Sequence, residues 1–473
     1  MIARVTLVIA FAVAYGVLCN HLQAAPARPQ SVSVTDFGAK GDGVSDDTAA
    51  IQRALDAAQR VLFPQGTYLV RINSLVLRDG NCLVGEGKLS KIRTTDAGDG
   101  QFALFKAFGK TNLTVADLSF ETPKSTQMAL LFASCTNVTV TRCRAQNCGL
   151  VYVGSSAVAT MHDINSANAF FDIYDRVTAP EHYSNKVLIE GNECVGDGVK
   201  GRGGISLSGI FVSFANNVRI ANNDVTKYLH GIMWWGGNAN TKPPAANGDI
   251  ANERKCKNLT ITGNTVHGIE MGGIWGAMGE GVAVSGNAVS DCGDVGIDFE
   301  GCFTATAMGN AVADCTSACL CTVFDNRGIV FSGNTCAQHT DGWWIASVRN
   351  THHSPGNQDV SFTGNSFTAY RGMSAVVSEG VRQLLFQGNI LRNVQVSFHD
   401  PTLNHLVQTV IGNQLVFDRA APGAISGLRV GPVGAGGHVI VQGNSVLTTV
   451  AQPKGSKGIE GVAAEGNVVE GWE

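Results

Sequence analysis

The chain has 473 residues, of which 15% are charged and 57 are glycine, with a formal net charge of −4 and a pI near 6.3. Weak negative balance without any Lys/Arg cluster argues against nucleic acid as a partner. Low charge with abundant glycine suits a turn-dense all-β solenoid whose core is one long column.

The N-terminus, MIARVTLVIAFAVAYGVLC, places one Arg ahead of an apolar run of about fifteen residues, too short for a comfortable membrane span and right for a signal-peptide core. Residues 1–27 are therefore read as a signal peptide cleaved between Ala24 and Ala27, which predicts a secreted, periplasmic or extracellular protein with no membrane attachment after cleavage. Val17 and Leu18 precede Cys19 where a lipid-anchored precursor needs a small residue.

Residues 30–100 are read as an N-terminal cap with the first coils. VSVTDF reads as a strand, and after a Gly-rich turn Ser45-Asp46-Asp47-Thr48 opens the helix AAIQRALDAA with Ile51, Ala54, Leu55 and Ala58 on one face. An amphipathic helix of this kind covers the open end of a solenoid. GAKGDG lacks the Lys-Ser/Thr ending of a phosphate loop.

Residues 101–473 are read as repeats. Gly-Asn pairs recur along the chain, and of the eight steps between nine of them, at Asn192, Asn264, Asn287, Asn310, Asn334, Asn389, Asn413, Asn444 and Asn467, five are 23 or 24 residues. The 31-residue step from Asn413 to Asn444 reads as one unit with an inserted loop. Segments such as NLTITGN (258–264) and DVSFTGN (359–365) alternate apolar and small polar residues and stop at Gly-Asn, which is strand followed by turn. With no long 3.6-residue pattern, a single-stranded parallel β-helix remains. Its asparagines are expected to stack in a row, with glycine taking the positive φ of the turn.

Twelve cysteines follow Cys19. Cys292 and Cys315 lie five residues after their Gly-Asn in adjacent coils, so they are expected to stack as a disulfide or a row of buried thiols. No structural metal is predicted, because the pairs Cys143/Cys148 and Cys319/Cys321 lack zinc spacing and companion histidines.

The segment VSVTDFGAKGDGVSDDTAAIQRALDAA, with LVLRDGNCLVGEG at 75–87, resembles the N-terminal module of the pectate lyase superfamily. That group of right-handed parallel β-helices includes polygalacturonases, rhamnogalacturonases, mannuronan epimerases and phage tailspikes. The repeats from 111 to 467 resemble the same group's coils. The resemblance implies a polysaccharide partner, acidic or complex. No subfamily's catalytic set is present: DVGID and YLHGI only partly echo the polygalacturonase motifs, and the epimerase Asp-Pro-His-Asp is missing.

Aligned on Gly-Asn, the segments YLHGIMWW (228–235), GIEMGGIWGA (268–277), GDVGIDFEG (293–301), SACLCTV (317–323) and TDGWWIAS (340–347) form one stacked strand with its lead-in turn. Ile232, Ile274, Ile297 and Leu320 then share the inward offset, so Asp298 and Glu300 face outward together, while His230, Glu270, Asp294 and Asp341 form the preceding row. Carboxylates at i and i+2 have Cα atoms about 6.5–7 Å apart, which side-chain tilt can bring to the separation of a glycosidase acid pair. Asp298 and Glu300 are the candidate acid and base or nucleophile. Asp294 and Glu270 tune them or hold sugar hydroxyls; His230, Asp341, Trp234, Trp235, Trp275, Trp343 and Trp344 are the candidate substrate contacts. The expectation is an exported glycoside hydrolase without a cofactor. A lyase or uronate epimerase, using Ca²⁺ on Asp294, Asp298 and Glu300, is one alternative; basic residues are scarce on this face, with Arg327 and Arg349 at its edges. A non-catalytic carbohydrate-binding or surface-structural β-helix is the other.

Overall fold

The computed structural model describes residues 31–96, 103–123, 127–156, 180–198, 208–237, 254–340, 344–349, 356–400, 406–433, 436–461 and 466–472; the expected signal peptide lies outside them. Each coil contributes one strand to each of three parallel sheets of 15, 16 and 14 strands. One coil runs Gly279–Ser285, Ala288–Cys292 and Val295–Glu300, and the next Phe303–Met308, Ala311–Cys315 and Ala318–Val323. The chain is a right-handed parallel β-helix with one continuous apolar column inside.

The helix Thr48–Ala57 lies at the N-terminal end and buries Ile51, Ala54 and Leu55 in the column. Its cap differs from expectation in detail. Asp46 Oδ1 accepts from the Thr48 amide at 3.0 Å, while Asp47 turns away to accept from the amides of Lys40 and Gly41. Buried Asn81 donates to the Leu55 and Ala58 carbonyls, satisfying acceptors at the helix C-terminus.

Register is held by asparagine. The predicted row exists and gains Asn223 and Asn365. In each step from Asn192 to Asn467, one Asn Oδ1 accepts both the backbone N–H and the side-chain Nδ2 of the Asn one coil earlier. Each Nδ2 also reaches a carbonyl of the first sheet, as Asn310 does to Val284 at 3.0 Å. The preceding glycines take the left-handed φ the turn needs; at Asn223 that task falls to Asn222 at φ 55°.

A second row fixes how tightly each coil closes. A Cβ on Gly209, Gly231, Gly273 or Gly296 would approach a Val Cγ1 of the second sheet to between 2.4 and 2.7 Å, so only glycine lets the third strand begin against that valine column. Beyond this point aromatic rings stack along the axis, Trp234 on Phe299 at 5.9 Å, then Phe331, Phe362, Phe386 and Phe398.

Cys292 and Cys315 are direct ladder partners, as expected, yet they form no disulfide. In-register parallel strands keep the two Cβ atoms roughly one strand spacing, about 4.8 Å, apart, outside the range of about 3.5–4.5 Å a disulfide needs. Their thiols also lie by carbonyls of their own strands, Cys292 near Ser290 and Cys315 near Ala313, and the two meet as free thiols in the buried row expected as the alternative. All twelve cysteines after Cys19 are free, and all but Cys82 are buried; burial pushes the Cys302 thiol up to about 12.

Two outcomes follow from this packing. Asn310→Ala orphans the Asn287 amide and is expected to lower unfolding free energy by roughly 2–4 kcal/mol in denaturant melts, with a smaller loss for Asn467→Ala at the last rung. Protein denatured and alkylated without reductant should carry label on every cysteine; a pair spared until reductant is added would restore the bridge.

Candidate functional site

The third sheet's outward face changes character along the axis. From Leu131 to Trp275 the face is apolar and largely buried, with Leu131, Tyr152, Phe211, Met233, Trp235 and Trp275 in one cluster. One rung beyond Trp275 the same row turns polar: Trp275 pairs with Asp298, Asp298 with Cys321, and Cys321 with Ser347. Two residues on, the row reads Ala277, Glu300, Val323, Arg349. The predicted register of Ile232, Ile274, Ile297 and Leu320 holds, and Asp298 and Glu300 do face away from the core.

Facing outward does not expose Asp298, which is 4% accessible. Its Oδ1 has no hydrogen-bond partner among the described residues. Burial and then the charge of Asp294 raise its pKa to about 7, against smaller opposing pulls from the Cys321 thiol, the Phe299 amide and the Arg349 guanidinium. Burial, then Asp298 and Asp294, push half-buried Glu300 well above the usual carboxylate range. The two acids affect one another, so they take up protons as a pair.

The row expected just before the strand is staggered. Asp294 donates its amide to the Met271 carbonyl, which places Glu270 beside Gly293; a Cβ there would lie 2.0 Å from the Glu270 carbonyl oxygen. His230 lies further along its coil, its neighbour Gly231 bonding to Gly272. Asp294 of that row acts directly on the Asp298 and Glu300 pair.

His230 is buried, and burial alone depresses its pKa to about 3, so the ring is neutral at physiological pH. Trp275 Nε1 lies 2.9 Å from His230 Nδ1 with ring centroids 4.9 Å apart; indole can only donate, so the imidazole proton is assigned to Nε2. Gly272 makes this possible, since its Cβ would sit 2.3 Å from the Trp275 ring.

The tryptophans do not form the expected open platform. Trp234 points inward and is fully buried in the aromatic column; Trp235 is buried and packs edge-on against half-buried Trp275 at 6.3 Å. Half-buried Trp344 lies under the Arg349 guanidinium at 5.0 Å. Asp341 and Trp343 lie outside the described residues. Cys321 and Ser347, with Sγ and Oγ 3.8 Å apart, were not singled out from sequence, although each follows from Asp298 by counting one more coil. Among the described residues no cluster of three His, Cys, Asp or Glu side chains is arranged to hold a metal ion.

Three parallel sheets with a helix-covered end make up a parallel β-helix of the pectate lyase-like kind. The chain belongs to the family described as rhamnogalacturonase A/epimerase, pectate lyase-like, whose profile matches residues 31–344. Short stretches are similar to curated proteins. Plasmin and fibronectin-binding protein A of Streptococcus pneumoniae is 53% identical over 47 residues, 9% of this chain and 6% of that protein. Mannuronan C5-epimerase AlgE4 of Azotobacter vinelandii is 47% identical over 66 residues, 12% of each chain. The matches thus span only a small part of those relatives' lengths. The fold is similar to the N-terminal fragment of bacteriophage phi29 gene product 12, with a TM-score of 0.60 at 18% identity over 89% of this chain and 72% of that one. The A-module of AlgE4 gives 0.50 at 16% identity over 93% and 100%.

The buried acid has a thermodynamic signature. Above the unfolded-state pKa of about 3.9 the unfolded chain loses a proton that folded Asp298 keeps, so its contribution to stability falls as pH rises from about 4 through about 7. Asp298→Asn removes that penalty. The variant should be more stable than the native chain above neutrality, by up to a few kcal/mol, with the gap closing toward pH 4 in paired denaturant melts.

Proposed function

We propose that this chain is an exported polysaccharide-degrading glycoside hydrolase in which Asp298 and Glu300 share the acid–base work. The observation that carries this reading is the Asp298 carboxyl, buried, short of a hydrogen-bond partner at one oxygen and raised to about 7 beside a second acid. A carboxylic acid that keeps its proton near neutrality can give it to a glycosidic oxygen as the bond breaks, and its ionised partner can activate water or attack the anomeric carbon. A pair sharing one proton supplies both forms. Asp294 raises the pKa of both acids, and Arg349 steadies the ionised form of Asp298. Half-buried Glu270 on the neighbouring lead-in turn is assigned to sugar hydroxyls.

A second reading, uronate epimerisation or elimination, is favoured by the short local similarity to a mannuronan C5-epimerase and to alginate lyase 7. It requires a base to take the C5 proton and a cation to neutralise the uronate. Neutral His230 has its Nδ1 already engaged by Trp275, and Arg349 is the cation in the acid row. Acidity fits the site better than basicity.

The test is to incubate the full chain with alginate, polygalacturonate and neutral glucans, following both reducing ends and ultraviolet-absorbing unsaturated products. Hydrolysis predicts reducing ends without new double bonds, activity that rises as pH passes about 7 and the pair gives up the first of its two protons, and a loss of roughly 10²–10⁴-fold in kcat for Asp298→Asn. Unsaturated products stopped by a chelator would establish elimination, and inverted C5 centres in the recovered alginate, read by NMR, would establish epimerisation, which yields neither reducing ends nor double bonds. Saturable binding without product would leave a carbohydrate-binding β-helix.

A further inference from the structure

With the tryptophans buried or half-covered, the ring that could receive a sugar must be sought elsewhere. Tyr370, at 46% accessibility, is the only Phe, Tyr or Trp in the exposed class among the described residues. It lies on the turn between the second and third sheets, the same turn that carries Asp294 in an earlier coil, Ser317 in the next and His339 after that. Three coils separate Tyr370 from Asp294, about 14 Å along the axis at one strand spacing per coil.

This ring is held rather than loose. Its plane lies 3° from that of His339 with centroids 4.5 Å apart. His339 is pinned twice by Asp314, whose Oδ1 accepts the backbone amide at 2.6 Å and whose Oδ2 lies 3.1 Å from Nδ1. Arg419 donates to the Tyr370 carbonyl and ties the turn to a later coil. Fixing two exposed rings parallel loses conformational freedom and leaves apolar surface in water, an arrangement that folding alone does not require. A rigid, amphipathic aromatic plate beside an acid pair suits the C–H face of a pyranose.

We propose that Tyr370, backed by His339 and Asp314, is a sugar-stacking subsite for the polysaccharide that reaches the Asp298 and Glu300 pair, so that the polymer runs along the rim of the third sheet parallel to the helix axis. This rests on the polysaccharide reading but not on cleavage. The ligand class is an extended chain of pyranose units, bound at the plate through its ring faces.

Electrophoresis of the full chain in native gels containing alginate, polygalacturonate or a neutral glucan tests it. The native chain and Asp298→Asn are both expected to be retarded in at least one gel. Tyr370→Ala should bind that polymer about tenfold more weakly, Tyr370→Trp should bind as the native chain does, and His339→Ala should fall between. Circular dichroism confirms that each variant is folded. Undiminished retardation of folded Tyr370→Ala and His339→Ala overturns the subsite, as does a native chain retarded by none of the three. Because Asp298→Asn reports binding without turnover, failure of the acid-pair mechanism leaves this result readable.

Discussion

One constraint orders the rest of this molecule: successive coils cannot slip. Each ladder asparagine uses its carbonyl oxygen for two donors from one neighbouring coil and its amide for the coil on the other side and the first sheet. Shifting one coil by a residue would leave several buried polar groups unpaired at once, each at a penalty of about 1–3 kcal/mol. Strand alternation opposes a one-residue slip, which turns the buried face outward, but leaves a slip by two residues open, and the bidentate amide row excludes both. Loop insertions are absorbed without loss of phase. The step from Asn334 to Asn365 spans 31 residues and still makes both bonds at 2.9 Å.

A fixed register makes a site from residues far apart in the chain. Trp275, Asp298, Cys321 and Ser347 become consecutive points on one outer row, although each belongs to a different coil. Phase also places the acid pair where the apolar outer cluster ends, so Asp298 has Trp275 on one side and a thiol on the other. The raised pKa is a consequence of that boundary. An acid deeper in the apolar stretch would lack the thiol and guanidinium that ease its ionisation.

Much of this was legible in the sequence because it is periodic. The Gly-Asn recurrence, the cap helix and the inward isoleucine offset are all repeated signals, and repetition averages out local ambiguity. Asn223 was missed because Asn222 replaces the usual glycine, and the glycine row at 209, 231, 273 and 296 was missed because its reason is a contact with valines of another strand. The tryptophans misled for a related reason. Alternation says which way a side chain leaves the strand, but not what lies above it, so Trp235 and Trp275 could be placed outward without their burial being visible. Trp234 follows the inward offset of Ile232 by two residues, so naming it a substrate contact overlooked a parity that points into the core. Cys292 and Cys315 were correctly stacked, but stacking is a statement about Cα atoms, whereas a disulfide depends on Cβ direction.

The charge state of the outer row bears most directly on the chemistry. Elimination from a uronate begins with removal of a proton by a group that is unprotonated and accessible, while a cation stabilises the developing enolate. The described face holds protons instead of seeking them: Glu300 and Asp298 are both pushed toward their neutral forms, and the one imidazole nearby is buried with its Nδ1 in use. Calcium would reverse that logic by drawing the carboxylates into ionisation, and among the described residues no three acidic side chains are arranged around a common point. On the proposed hydrolytic reading, proton donation to a leaving oxygen is the step these residues suit, and the same burial that weakens the fold above neutrality keeps the donor loaded.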